Sequence, residues 1–511
     1  MTLAILPFLL LAAPDELSDA RKALSAAIPK GDAAAALPAV AALGKIGNAE
    51  AVEALLKGLE QASREFAKVQ AKVDQLQKAE TARPATEQEE KTGKRTLSAE
   101  FKVAIADFTA QMGAFNSIRS AVTDALRATK GAEAVAELKR RLASDSDPDL
   151  RARMAYALQG RKDPGVLEAL LARLPEERDP AAKVAIVDAL PASMPDAARI
   201  GGAVRPLLED ASWTVVVAAC QALGRLGWKD AVEPLIAALE KQQGLPRAEA
   251  NRALARITGV DKHSEPAAWK AWWERNREAF QAGTYVPEPA ERAGGAPGGT
   301  TFYGIPVVSR NPVFVIDASM SMKQPSVWKP PSDVPAPGGL VLRGDRKIDV
   351  AQFELKKVLL LLPDGIEFNI VFFHRDVEAF SPMMVTLNKE SREKAIAWID
   401  SLELVLQTNI WEGLRKAFGF AGAEADKGPL TRRTVVSGAD TFYLLSDGAP
   451  TTGIKNPNDL CKAVADENRT RKISIHTIAI EPRQNGERFM KKLAQENNGE
   501  YAKRGDAAPK P

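Results

Sequence analysis

Residues 312–321 read PVFVIDASMS, and the reading of this stretch decides the fold of the C-terminal half. Five apolar residues, two of them β-branched valines and one an isoleucine, make a run too short for a helix of ordinary length but right for a buried strand. The run ends in Asp317 and passes without a spacer into Ala318, Ser319, Met320 and Ser321. Working outward, IEFNIVFF (366–373), TFYLLSD (441–447) and ISIHTIAI (473–480) have the same character. Between them lie KIDVAQFELKKVLLLLP, KESREKAIAWIDSLE, NIWEGLRKAFGFAG, NPNDLCKAVADENR and GERFMKKLAQENNG, all readable as helices. Buried apolar strands alternating with helices imply a mostly parallel sheet covered on both faces. Ligands of such sheets bind at the carboxyl ends of the strands, at a topological switch.

The polar residues stand at those ends. TFYLLS runs into Asp447-Gly448, and Gln407-Thr408-Asn409 precedes a helix. The combination DASMS, then TN, then SDG, resembles the metal-ion-dependent adhesion site of von Willebrand factor A (VWA) domains, over about 200 residues with element order intact. The resemblance implies a doubly wound, Rossmann-like domain over 306–505. It implies a metal site made of Asp317, Ser319, Ser321, Thr408 and Asp447, with the two serines as direct ligands. Thr408 would be the ligand sensitive to conformational state, and the two aspartates would hold charge and orient water. The chemistry agrees: two carboxylates and three hydroxyls form an all-oxygen set suited to a hard ion, Mg²⁺ first, with Mn²⁺ or Ca²⁺ as alternatives. With only two anionic ligands the ion keeps positive charge and can recruit an acidic group from a protein partner. Met320 and Gln407 stand where the family often has Gly. The proline-rich insertion at 323–345 reads equally as a floppy surface loop or as a lid beside the metal.

The N-terminal half is periodic. An Ala-Leu pair recurs at Leu126, Leu158, Leu190, Leu223 and Leu254, a repeat of about 32 residues characteristic of stacked helix pairs. The segments DSDPDLRARMAYALQG and ERDPAAKVAIVDALPA each open on Asp-Pro, where Asp caps the free amides and Pro in the first turn sacrifices no hydrogen bond. LGKIGNAEAVEALLKGLE from Leu43 matches LGRLGWKDAVEPLIAALE from Leu223 in most apolar positions. These features resemble HEAT-like repeats of the phycobilisome-lyase type. The fold expected is therefore multidomain: an all-α HEAT-like solenoid over 21–283, then the α/β domain. The stretch at about 61–115 exceeds the repeat length and reads as an inserted helical hairpin. Trp269, Trp272 and Trp273 are placed to cap the last repeat. Residues 284–305 have a Pro/Gly linker composition, and 506–511 form a tail.

Composition limits the function. Lys plus Arg number 69 against 66 Asp plus Glu, a formal charge of +3 that gives no basic footprint for nucleic acid. Cys220 and Cys461 fall in different domains, so neither a disulfide framework nor a cysteine metal site is available. His263, His374 and His476 are scattered, against a zinc enzyme. The apolar run Leu3–Ala13 fits a signal-peptide core within residues 1–20, with a second small-residue cleavage site at Ser18-Asp19-Ala20. Export is the expected location and the cytoplasm the alternative. Nothing else reads as transmembrane. A non-enzymatic, metal-dependent binding or adhesion protein is the expected function, with the repeats as a second interaction surface. The alternatives are a Mg²⁺-dependent phosphoryl hydrolase or transferase using Asp317, and a scaffold with an incidental metal site. The position two residues after Asp317 holds Ser319 rather than a second acid, no basic residue is evident in the motif, and no Walker A loop occurs.

Overall fold

A computed structural model describes residues 14–84, 86, 98–190, 196–286, 300–330, 336–421 and 438–505. The chain divides into two compact units, Met1–Pro191 and Ala192–Pro511. In the first, eight α-helices are described: α1 (Pro14–Ala27), α2 (Ala33–Ile46), α3 (Ala49–Ala82), α4 (Ala99–Ala128), α5 (Ala132–Ser144), α6 (Pro148–Leu158), α7 (Pro164–Arg173) and α8 (Pro180–Ala189). Their starts follow from the sequence. Asp147 and Asp179 cap α6 and α8 through the amides of Asp149 and Ala182, and Pro148 and Pro180 take the first helical position. The long helices α3 and α4 pack along one another as an antiparallel pair. Glu80, near the end of α3, accepts from both the amide and the hydroxyl of Ser98, the cap of α4. Between α6 and the turn before α8, Arg151 and Glu177 form a buried two-pronged pair at 2.7 and 2.8 Å.

The second unit begins with α9 (Ala197–Val204), α10 (Trp213–Leu226), α11 (Val232–Lys241), α12 (Gly244–Thr258) and α13 (Pro266–Ala282). All five marker leucines are buried, which explains the repeat: each helix pair hides its apolar stripe only against a neighbouring pair. Trp269, Trp272 and Trp273 are buried with Phe280 in an edge-to-face cluster, and the Trp269 Nε1 donates to Asn251 at 2.8 Å. They are structural aromatics.

The α/β part starts with a small antiparallel hairpin, β1 (Thr301–Phe302) and β2 (Ile305–Pro306). Phe302 and Tyr303 are buried in the core beneath, so the end of the Pro/Gly-rich stretch already belongs to this domain. The main sheet holds β3 (Pro312–Asp317), β4 (Glu367–Phe373), β5 (Val377–Ala379), β6 (Val385–Thr386), β7 (Thr441–Ser446), β8 (Ser474–Ile480) and β9 (Tyr501–Arg504). The order is β5-β4-β3-β7-β8-β9, with β6 also on β4. The pairs β4/β3, β3/β7, β7/β8 and β8/β9 are parallel, and the short edge strands β5 and β6 are antiparallel to β4. Side-chain alternation along β3 sends Phe314 and Ile316 to one core, with α14 (Lys347–Leu361) and α15 (Lys389–Asp400). Val313 and Val315 enter the other core, with α16 (Ile410–Phe418), α17 (Pro457–Asn468) and α18 (Gln484–Glu496). The wound sheet anticipated from 312–321 is therefore present, with β3 at its centre and the switch between β3 and β7.

Within the same unit the last repeat touches the sheet edge. The Arg252 guanidinium donates to the Asn498 carbonyl at 3.3 Å and lies 3.6 Å from the Glu500 carboxylate, while Arg310 donates to the Gln243 side chain at 2.6 Å.

Candidate metal centre

Asp317 ends β3, fully buried. One of its oxygens accepts from the Ser319 amide at 2.8 Å, and the other from the Ser446 hydroxyl at 2.5 Å. The first bond turns the chain sharply after the strand and aims Ser319 and Ser321 to one side, their hydroxyls 2.9 Å apart. Ser321 then donates to Asp447 Oδ1 at 2.8 Å. Thus Asp317, Ser319, Ser321 and Asp447, contributed by two adjacent strand ends, form one connected cluster. Ser319, Thr408 and Asp447 are buried as well.

Thr408 is held next to the cluster by its backbone. Val405 pairs with the 318–320 loop, its amide bonding the Ala318 carbonyl and its carbonyl the Met320 amide. The Thr408 amide donates to the Thr451 hydroxyl at 2.8 Å, and its carbonyl accepts from the Thr451 amide at 2.9 Å. The loops carrying DASMS, TN and SDG are thereby stitched together, although no hydrogen bond joins the Thr408 hydroxyl to the other four side chains. Gln407 has φ +74°, the left-handed conformation for which the Gly common in the family is suited. Met320 carries no such strain and is partly exposed at the surface.

Three residues escaped the sequence reading. Ser446 was absorbed in an apolar strand, yet its hydroxyl serves Asp317. Thr451 braces Thr408. The third matters most: Lys347, at the first position of α14, is buried, and its Nζ lies 3.0 Å from Asp447 Oδ2. The sequence shows no evident basic residue in the motif itself, and Lys347 comes to it from outside, from the start of α14. A signal for it exists in the sequence, because a lysine in a helix's first turn faces the positive end of the dipole and needs an acidic partner. His374 and His476, by contrast, use Nδ1 to accept backbone amides, from Asp376 and Glu500, at 3.0 Å each. Cys461 is buried in packing.

Burial, with the nearby Asp447 carboxylate second, pushes the Asp317 carboxyl up to about 7, against the opposing hydrogen bonds. Two carboxylates this close favour a cation between them. Among the described residues no group of three or more His, Cys, Asp or Glu gathers to hold a metal, so any ion here depends on hydroxyl ligands. Such a set, hard and weakly charged, fits Mg²⁺ better than a softer transition metal. Asp317, Ser319, Ser321, Thr408 and Asp447 are the residues that would hold it.

A parallel sheet wound with helices on both faces, its polar loops gathered where β3 and β7 end, defines a doubly wound α/β domain of Rossmann-like topology. Residues 349–503 match the family model of the von Willebrand factor type A domain, and residues 39–61 and 215–241 match that of the PBS lyase HEAT-like repeat. The chain therefore carries a VWA domain preceded by HEAT-like repeats, and these two repeat segments contain the pair whose likeness was visible in the sequence. The DASMS loop lies upstream of the matched range and joins it through the β3 pairings. Among solved structures, the chain is similar to von Willebrand factor type A from Catenulispora acidiphila, at 19% identity over 38% of each chain, with a TM-score of 0.28. It is also similar to an aerotolerance-related membrane protein from Bacteroides fragilis NCTC 9343 carrying multiple mutations to serines. That match has 14% identity over 38% of this chain and 91% of the other, with a TM-score of 0.25. The first match thus spans well under two thirds of its relative's length. Both domain types in this chain suggest a protein-interaction or scaffold role. Among the described residues no helix is long and apolar enough to cross a membrane.

Proposed function

We propose that this protein is a metal-dependent protein-binding module in which a divalent cation at the β3/β7 strand ends grips an acidic group of a partner, while the helical repeats offer a second surface. The observation that carries the reading is the hydrogen-bonded set of two carboxylates and two serine hydroxyls on adjacent strand ends, with Thr408 pinned beside it. A cleft of about 280 Å³ opens beside Met320, lined also by Lys323, Arg346, Ile348, Gln352, Leu402 and Leu404. Lys323 at the rim of an aliphatic floor suits residues flanking a partner's acidic side chain, while Arg346 is already paired with Asp349.

The phosphoryl-transfer alternative is disfavoured by Asp317 itself. Its carboxylate has no exposed surface and each oxygen already accepts a hydrogen bond, so it is not presented to a substrate as a free nucleophile. Export belongs to this reading as well. The apolar run that suggests it lies in residues 1–13, outside the described residues, whereas Ser18-Asp19-Ala20 sits within α1.

The experiment is a Mn²⁺ titration of the full chain followed by paramagnetic resonance, with affinity capture in Mg²⁺ and in EDTA. Saturable binding, lost in Asp317→Asn, together with metal-dependent retention of a partner, is the expected result. Absence of saturable binding, or capture undiminished by EDTA, refutes the proposal.

A further inference from the structure

The geometry points to Lys347 as a resident counter-cation of the site: it holds Asp447 when no metal is bound, weakens the site's affinity for a divalent ion, and adds a positive charge that favours an anionic partner. The inference rests on the metal-binding reading above and deepens it.

Lys347 and Asp447 each keep only 6% of their side-chain surface, with Nζ 3.0 Å from Oδ2. The other Asp447 oxygen is the acceptor of Ser321, so the lysine and a proposed serine ligand share one carboxylate. Burying an ammonium is costly, and the helix dipole at α14's first residue adds to that cost. A surface role would have left the head group in water, as a lysine's long stem ordinarily allows. The backbone gives little freedom to withdraw. The Lys347 amide donates to the Gln324 carbonyl at 2.9 Å, and Pro325 pairs with Arg346. The start of α14 is therefore tied to the segment that leaves Ser321, and the ammonium stays with the cluster.

The charge count gives the consequence. With both aspartates ionised, the state a bound cation favours, Asp317 and Asp447 contribute two negative charges and Lys347 one positive, a net −1 before the ion is counted. A divalent ion brings it to +1, where two carboxylates alone would reach neutrality. Repulsion between the ion and the ammonium loosens ion binding, and the surplus charge makes an incoming carboxylate a stronger attraction.

Mn²⁺ affinity of the full-length wild type, Lys347→Met, Lys347→Gln and Lys347→Arg, read by paramagnetic resonance, tests this. The neutral variants are expected to bind Mn²⁺ at least about tenfold more tightly, and the arginine variant within about threefold of wild type. Unfolding temperature provides the second readout. Added Mn²⁺ raises it more in the neutral variants, whose Asp447 lacks its partner, and this holds for Lys347→Gln should Lys347→Met fold poorly. Neutral variants that bind Mn²⁺ no more tightly than a wild type that does bind overturn the counter-cation role and leave the metal reading standing. A wild type that fails to bind while Lys347→Met binds refutes metal-dependent binding by the native chain, and with it the counter-cation role proposed here. No binding by any of the four refutes the metal reading, and the counter-cation role with it.

Discussion

Replacing His476 by Asn should flatten the acid sensitivity of the α/β domain. The imidazole lies in the middle of β8, 2% exposed, stacked on Tyr443 at 4.9 Å between ring centres, and its Nδ1 accepts the Glu500 amide. Burial, and after it the positive charge of Arg252, lowers its pKa from 6.5 to about 3. The folded value is depressed, so the stability linked to this group is complete above pH 6.5 and drains away as pH falls toward 3. Over that window the unfolded chain binds a proton that the folded chain refuses. From these two values the loss is about 1 kcal/mol at pH 5.5 and about 3 kcal/mol at pH 4.5. Asn keeps an oxygen acceptor for the Glu500 amide and does not titrate. Its lost ring stacking should lower stability by a pH-independent amount of about 1 kcal/mol. Deuterium exchange of the β8 amides at rising urea, at pH 7.5, 5.5 and 4.5, reports the opening of this strand. The wild type should begin ahead of the variant and fall behind it by pH 4.5. A wild-type-to-variant difference that is the same at all three values refutes a neutral buried imidazole as the cause.

Other perturbations separate further claims. Glu177→Gln leaves the buried Arg151 guanidinium without its counter-charge and should cost about 3–5 kcal/mol, read as a lower urea midpoint for the first unit. The native Glu177 carboxyl, lowered to about 2 by the Arg151 bonds and the Asp179 amide against the opposing effect of burial, should lose its stabilising role only as pH falls from 4.5 toward that value. Thr451→Val removes the hydroxyl that accepts the Thr408 amide, and should weaken Mn²⁺ binding by about tenfold while the fold persists; unchanged affinity would exclude Thr408 as a ligand that depends on this brace. Gly499→Ala would drive a methyl group into the backbone of Ile475 on β8. It should cost more than about 2 kcal/mol by thermal unfolding, because the obstructing atom is a carbonyl oxygen and not a movable side chain.

The strand ends were legible because each central strand is buried on both faces and so reads as an unbroken apolar word with a polar full stop. Asp317 and Asp447 are such stops, and Thr408 announces itself by preceding a helix. Solenoid helices were legible through Asp-Pro starts and recurring leucines, since each pair must hide the same stripe. Lys347 was not. Periodicity treats lysine as a solvent marker, and its partner Asp447 lies 100 residues away. Ser446 was concealed for the opposite reason, as a small polar residue inside an apolar run. The hairpin around Phe302 was masked by the glycines and prolines before it, which dominate a composition window although the aromatic pair decides the packing. The insertion at 323–345 shows the same limit. Its prolines suggest slack, yet Glu481, at the end of β8, accepts the amides of Val327 and Trp328 at 2.6 and 3.2 Å, anchoring its first turns. That anchor is made by long-range backbone donors, which no local pattern reveals.

The contacts of Arg252 and Arg310 bear on what happens when a partner pulls. Tension applied at the rim of the sheet has two routes into the last helical repeat. One is the covalent chain through 283–300. The other runs from β8 and β9 across the Asn498 carbonyl and Glu500 to α12, and from Arg310 to Gln243. As long as those few polar bonds last, a load on the α/β domain reaches the last helical repeat through them as well as through the covalent connection.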